Sequence, residues 1–159
     1  MTDLFDQIQG LLEESDYDFE VADDEEVLRI ALEAPEGSWT IYLRVMPTGP
    51  CVVYSRPEFE AAPEHRAATS EFITRVNFGI LVGNFEMDFD DGECRFKTAF
   101  DSDTEVVPVP IIVNTLEGNL ANMHKYLPAL QGVASGVMTV DEALAACGRA
   151  ADAEATPHG

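Results

Sequence analysis

Apolar positions at the start of the chain fall at Leu4, Phe5, Ile8, Leu11 and Leu12, one stripe of helical period. The spacing predicts a helix over 1–15, capped by Thr2 or Asp3, with early acids that suit the helix dipole. The period then falls to two. Tyr17, Phe19 and Val21 alternate with acids, the pattern of a half-buried strand. Asp23-Asp24-Glu25-Glu26 is too charged to bury and marks a turn. Residues 27–34 predict a second strand with Leu28, Ile30 and Leu32 on one face. Pro35-Glu36-Gly37 turns the chain into a third, in which Trp39, Ile41, Leu43 and Val45 alternate with Thr40, Tyr42, Arg44 and Met46. Pro47-Thr48-Gly49-Pro50 turns it again into a short fourth strand over 51–56. Turns spaced this regularly predict an antiparallel meander.

Past Pro63, a favoured first-turn residue, Ala68, Phe72, Val76 and Ile80 recur every four positions and predict a helix that Gly79 and Gly83 end. Alternation returns in Phe85, Met87 and Phe89, and again in Cys94, Phe96, Thr98 and Phe100, on either side of Asp91-Gly92, a two-residue hairpin signal. That turn sets Phe89 opposite Cys94, Asp88 opposite Arg95, Met87 opposite Phe96 and Glu86 opposite Lys97. One face is then apolar, and the other carries two opposite-charge pairs worth about 0.2–1 kcal/mol each. A long helix over 109–135 follows, with a seam of Ile112, Leu116, Leu120, Met123, Leu127 and Leu130; Pro128 is expected to kink it near Tyr126. Gly136 closes it, and Thr139-Val140-Asp141-Glu142 is a capping box for a last helix over 143–150. Residues 151–159 lack an apolar pattern and are expected to form a flexible tail.

The order predicts an α+β fold: an antiparallel meander with helices packed on it (α-β-β-β-(β)-α-β-β-α-α), as one domain over 1–150. A chain of 159 residues is long enough to bury a core without staples.

Charge narrows the function. Nine bases against 30 acids give a formal charge of −21, and only Lys97 and Lys125 are lysines, which excludes direct nucleic-acid binding and an anionic membrane surface as expectations. Residues 1–36 alone hold 13 acids and one base, Arg29. Such a field either keeps the molecule dispersed or steers a basic partner. Three widely spaced cysteines, Cys51, Cys94 and Cys147, fit a reducing compartment. The acidic start is unlike a signal peptide, and the longest apolar run has eight residues, 106–113, two of them proline; a cytoplasmic location is expected.

No residue set announces chemistry. His65, His124 and His158 lack metal-ligand spacing, and no Cys pair supports a structural zinc. The acidic loops fail as calcium loops: with Gly92 in the sixth position Met87 takes the first, and Asp101-x-Asp103-x-Glu105 has Val106 where glycine is needed. Gly79 and Gly83 follow a helix instead of opening one, so no phosphate cradle is expected there. Cys51 and Cys94 lie in strands and read as inert buried thiols. No catalytic, cofactor-binding or metal residues are expected, and no cofactor.

Arg75-Val76-Asn77-Phe78-Gly79, then Gly83-Asn84-Phe85-Glu86-x-Asp88, then Asp91-Gly92-Glu93-x-Arg95-Phe96-Lys97-Thr98, with the later Tyr126-Leu127-Pro128, resembles the YbjN family over about residues 63–135. The first sixty residues match only in element order, and Cys94 stands where an aliphatic residue would be expected. The resemblance implies a fold like the type III secretion chaperones, small acidic proteins, usually homodimers, that hold extended client segments. It also implies a regulator, connected with stress and motility, and brings no enzymatic residues. The expectation is therefore a non-catalytic, dimeric, chaperone-like adaptor for a basic client protein, such as one that itself binds nucleic acid; the alternative is a regulatory domain that senses a small molecule. In secretion chaperones the middle helix pairs, which implies a dimer contact through Thr69, Phe72, Ile73 and Val76, unless that stripe simply covers the sheet.

Overall fold

In a computed structural model, residues 3–22, 26–102, 104 and 106–154 are described, the side chains as far as 148. The turn read at 23–26 lies mostly outside these residues.

Helix α1 (Leu4–Glu14) begins at Asp3, whose carboxylate accepts from the Asp6 amide at 2.9 Å, and buries Ile8 and Leu12. Strands β1 (Glu20–Val21), β2 (Val27–Ala34), β3 (Gly37–Val45) and β4 (Cys51–Pro57) follow as the expected meander. The first strand is only two residues long; Tyr17 and Phe19 precede it and pack on the core from outside the sheet. A single tight turn at Pro63–His65 leads into α2 (Arg66–Gly79). Strands β5 (Asn84–Met87) and β6 (Cys94–Phe100) form the second hairpin. Helix α3 (Val109–Ala134) contains Pro128, and α4 (Val140–Glu154) opens on the capping box, Thr139 N–H donating to Glu142 at 2.8 Å and Glu142 N–H to Thr139 Oγ1 at 3.2 Å. This helix runs through Glu154, four residues into the stretch read as a tail.

The six strands form one antiparallel sheet in the order β1-β2-β3-β4-β6-β5. Alternation puts Leu28, Ile30, Trp39, Ile41, Leu43 and Phe96 into the core beneath the helices. The opposite face has no helix among the described residues. A polar knot fixes α3 to the sheet centre: buried Asn119 donates to the Val53 carbonyl at 2.9 Å and to Thr98 Oγ1 at 3.1 Å, and accepts from Ser55.

The second hairpin is displaced by two residues from its expected register. Met87 faces Cys94, Glu86 faces Arg95 and Asn84 faces Lys97. The turn is wider than Asp91-Gly92: Asp88 N–H bonds the Glu93 carbonyl, Gly92 N–H bonds the Asp88 carbonyl, and Asp88 and Asp91 carboxylates take nearby loop amides. A shift of two preserves faces, so the apolar and charged sides survive. Glu86 pairs with both Arg95 (3.3 Å) and Lys97 (3.1 Å), whereas Asp88 pairs with neither, and Phe89 is exposed in the loop.

Candidate binding surfaces

The α2 stripe comes first. Thr69, Phe72, Ile73 and Val76 are all buried within their own chain. Helix α2 packs on α3, α4 and β5 with Phe72, Ile73 and Val76 in the core, so the stripe covers the core, and a symmetric contact through α2 would fall to its outer residues.

The end of α2 presents apolar surface instead. Phe78 is 97% exposed, Leu81 100% and Val82 67%. Beside them lies a groove of about 450 Å³ between the 79–82 segment and α3, lined by Thr115, Gly118, Asn122 and Tyr126, with Lys125 as its one charged residue among those described.

The two sheet edges differ. On β5, the Asn77 side chain accepts from the Phe85 amide at 2.8 Å and donates to the Phe85 carbonyl at 3.0 Å, taking the place of a neighbouring strand. On the other side, β3 pairs β2 along all eight residues, but β1 reaches only Leu28 and Arg29. The Val27 carbonyl points outward to Ala22 N–H, and the Glu26 carbonyl points inward to Val45 N–H. By alternation, Ala31 and Glu33 turn their amides and carbonyls to the outer edge, where no described strand meets them.

The helix-free sheet face gathers basic residues. Arg29, Tyr42, Tyr54 and Lys97 stand in one cross-strand row, and Arg44, Arg56 and Arg95 flank it on the same face. A depression of about 330 Å³ lies among them. The Arg95 guanidinium sits 4.2 Å from the Tyr54 ring centre, and that of Arg29 5.8 Å from Tyr42.

The thiols are unsuited to nucleophilic work. Burial pushes Cys51 up to about 12; burial, then Glu93 and Asp91, do the same to Cys94. Burial also raises Cys147. His65 stands against Gly136, and His124 bonds Glu36 at 3.1 Å, so these two histidines serve separate local contacts. Among the described residues no three His, Cys, Asp or Glu side chains converge to hold a metal ion. No described helix is long and apolar enough to cross a membrane.

The fold therefore defines an α+β domain, one layer of helices on a six-stranded antiparallel sheet, whose notable surfaces are an open edge, an apolar corner and a basic sheet face. The chain belongs to the YbjN family, described as "Putative bacterial sensory transduction regulator", which it matches over residues 4–115. The match takes in the first sixty residues, where the sequence resemblance rested on element order alone. A solved structure, "Crystal structure of YbjN, a putative transcription regulator from E. coli", shares the fold at 12% identity and a TM-score of 0.56, over 79% of this chain and 95% of that one. No curated protein matches the chain.

Sequence reasoning missed Asn119, Asn77 and the basic sheet face. The first two are ordinary polar residues whose partners are set by tertiary packing. The third had a signal: residues 37–57 contain no acid at all in a chain with 30.

Proposed function

We propose that this protein is a non-catalytic regulator that works as a chaperone-like adaptor, holding an extended segment of a basic client protein. The observation that carries this reading is the outer edge of β2, unpaired beyond Arg29 among the described residues. Strand addition there would supply main-chain hydrogen bonds without disturbing the sheet. Glu33 lies on this stretch, Glu36 in the turn that ends it and Glu20 on the strand that stops short of it, so a basic segment is favoured. A nucleic-acid-binding protein fits as a client because its own binding surface is basic, and this chain would then meet nucleic acid only through it.

Proline can stand at an unpaired edge position but cannot donate to an added strand. Ala31→Pro is therefore expected to keep the native melting temperature and to lose client capture. The experiment compares wild type and Ala31→Pro as bait at low and high salt, with mass spectrometry of the captured proteins. The reading holds if basic proteins are retained by wild type at low salt and released by the substitution. Equal capture by both baits rejects it.

A homodimer is part of the same proposal, with the second copy seated on the α2–β5 corner. Phe78 and Leu81 project beside a groove on the same face, the knob-and-hole arrangement a twofold contact uses. Lys125 keeps this groove from the like-charge repulsion that two chains of −21 meet elsewhere. Light scattering is expected to give twice the 17.4-kDa chain mass for wild type and the single mass for Leu81→Asp. A single mass for wild type at micromolar concentration contradicts the dimer.

A further inference from the structure

We propose that the helix-free face of the sheet is a binding site for a small phosphate-bearing ligand, gripped by Arg29, Arg44, Arg56 and Arg95 around Tyr42 and Tyr54. These residues come from four strands and line one depression of about 330 Å³. Together with Lys97 they account for five of the nine bases in a chain of net charge −21. A face that needed only hydration would be expected to share the acidity of the rest. Instead, β3 and β4, which form its centre, contain no carboxylate.

Among the described residues, the acids on this face stand at its margins, Glu33 on β2 among them, except Glu93, which lines the depression itself. Glu20 is opposite Arg29 on β1, Glu93 lies 2.9 Å and Glu60 3.8 Å from Arg56, and Glu86 on β5 serves Arg95 and Lys97 at once. Arg29 has no carboxylate within 4.0 Å among the described residues. Arginine is the residue suited to a tetrahedral oxyanion, because its planar fork donates two parallel hydrogen bonds while keeping its charge. Several forks around one depression match a phosphate or pyrophosphate group better than a single carboxylate, and the tyrosine hydroxyls can add donors. The acidic remainder of the molecule sets the ligand's size. A polymer of phosphates would run out of the depression onto surface carrying the excess of acids, whereas a small ligand stays within the basic patch.

The test is calorimetric titration of the full chain at low salt with four probes: pyrophosphate, ADP, malate and a single-stranded oligodeoxythymidylate. Pyrophosphate and ADP are expected to saturate one site, with malate and the oligonucleotide weaker than both. Arg29→Gln and Arg44→Gln are each expected to weaken binding of pyrophosphate by about 10–100-fold, the loss of a charge-assisted contact. Arg75→Gln, on α2 beside Glu71 and away from the depression, is expected to bind as wild type does. Thermal melts of each variant establish that it is folded, and in wild type the melting temperature should rise with pyrophosphate. The proposal is overturned by the absence of saturable heat with pyrophosphate and ADP at millimolar concentration. Wild-type affinity in folded Arg29→Gln, or tighter binding of malate or the oligonucleotide, overturns it equally.

Discussion

At the residue scale, a few polar side chains hold the sheet and helices together. Asn119 is fully buried and ties Ser55, Thr98 and the Val53 carbonyl to α3. Asn119→Leu keeps the branched outline of the side chain but is bulkier and leaves these groups without a partner, and should cost at least about 1–3 kcal/mol by urea denaturation. The thiols offer a second check. With Cys51 and Cys94 at about 12 and Cys147 buried and raised, a disulfide reagent at mild alkaline pH should modify the native protein slowly and all three thiols rapidly in denaturant. Fast modification of native Cys51 or Cys94 would contradict their burial. Glu36 supplies a pH dependence. Its own backbone amide and then the His124 ring stabilise its ionised form and hold it below the ordinary 4.5. A carboxylate lowered on folding adds stability above its unfolded value, and that stability is lost as pH falls through the folded one. Wild type should therefore melt above Glu36→Gln when the pH exceeds about 4.5, and the gap should close on further acidification. A gap that is constant with pH would exclude this origin.

At the element scale, periodicity identified nearly every helix and strand, because each buries one face and leaves the other wet. Residues 27–34 and the 109–134 helix stand almost where the apolar spacing sets them. What periodicity could not give was the second hairpin's register. Gly92 has φ +83°, and its carbonyl accepts from the Ala61 amide at 2.8 Å; Arg66 donates to the Ala61, Phe89 and Asp90 carbonyls. The loop is thus shaped by a segment thirty residues earlier, which no local turn rule contains. Gly92→Ala would strain the backbone and drive a Cβ into the Ala61 carbonyl oxygen, so a loss of several kcal/mol, or failure to fold, is expected. Asn77→Ala should expose the Phe85 amide and carbonyl, lower stability by about 1–3 kcal/mol and make the protein self-associate through β5. Unchanged stability and mass would show that Asn77 does not guard that edge.

At the scale of the whole molecule, charge and sheet topology work together. The sum of −21 and its concentration in the first 36 residues were legible at once, but the gathering of the bases on one sheet face was not. Arg29, Arg44, Arg56 and Arg95 lie far apart along the chain and meet only through the pairing of four strands; the meander order predicted β2, β3 and β4 side by side but not the pairing of β4 with β6 that brings in Arg95. Among the described residues, the same topology leaves one edge covered and one open. Residue-resolved amide exchange along β2 tests this arrangement most directly, in the free protein and with an extended peptide of alternating lysine and valine. Ala31 and Glu33 are predicted to exchange much faster than Ile30 and Leu32 in the free chain and to become protected when the peptide is added. Uniform protection along β2 in the free monomer, or no added protection with peptide bound, would contradict an adaptor that works by strand addition.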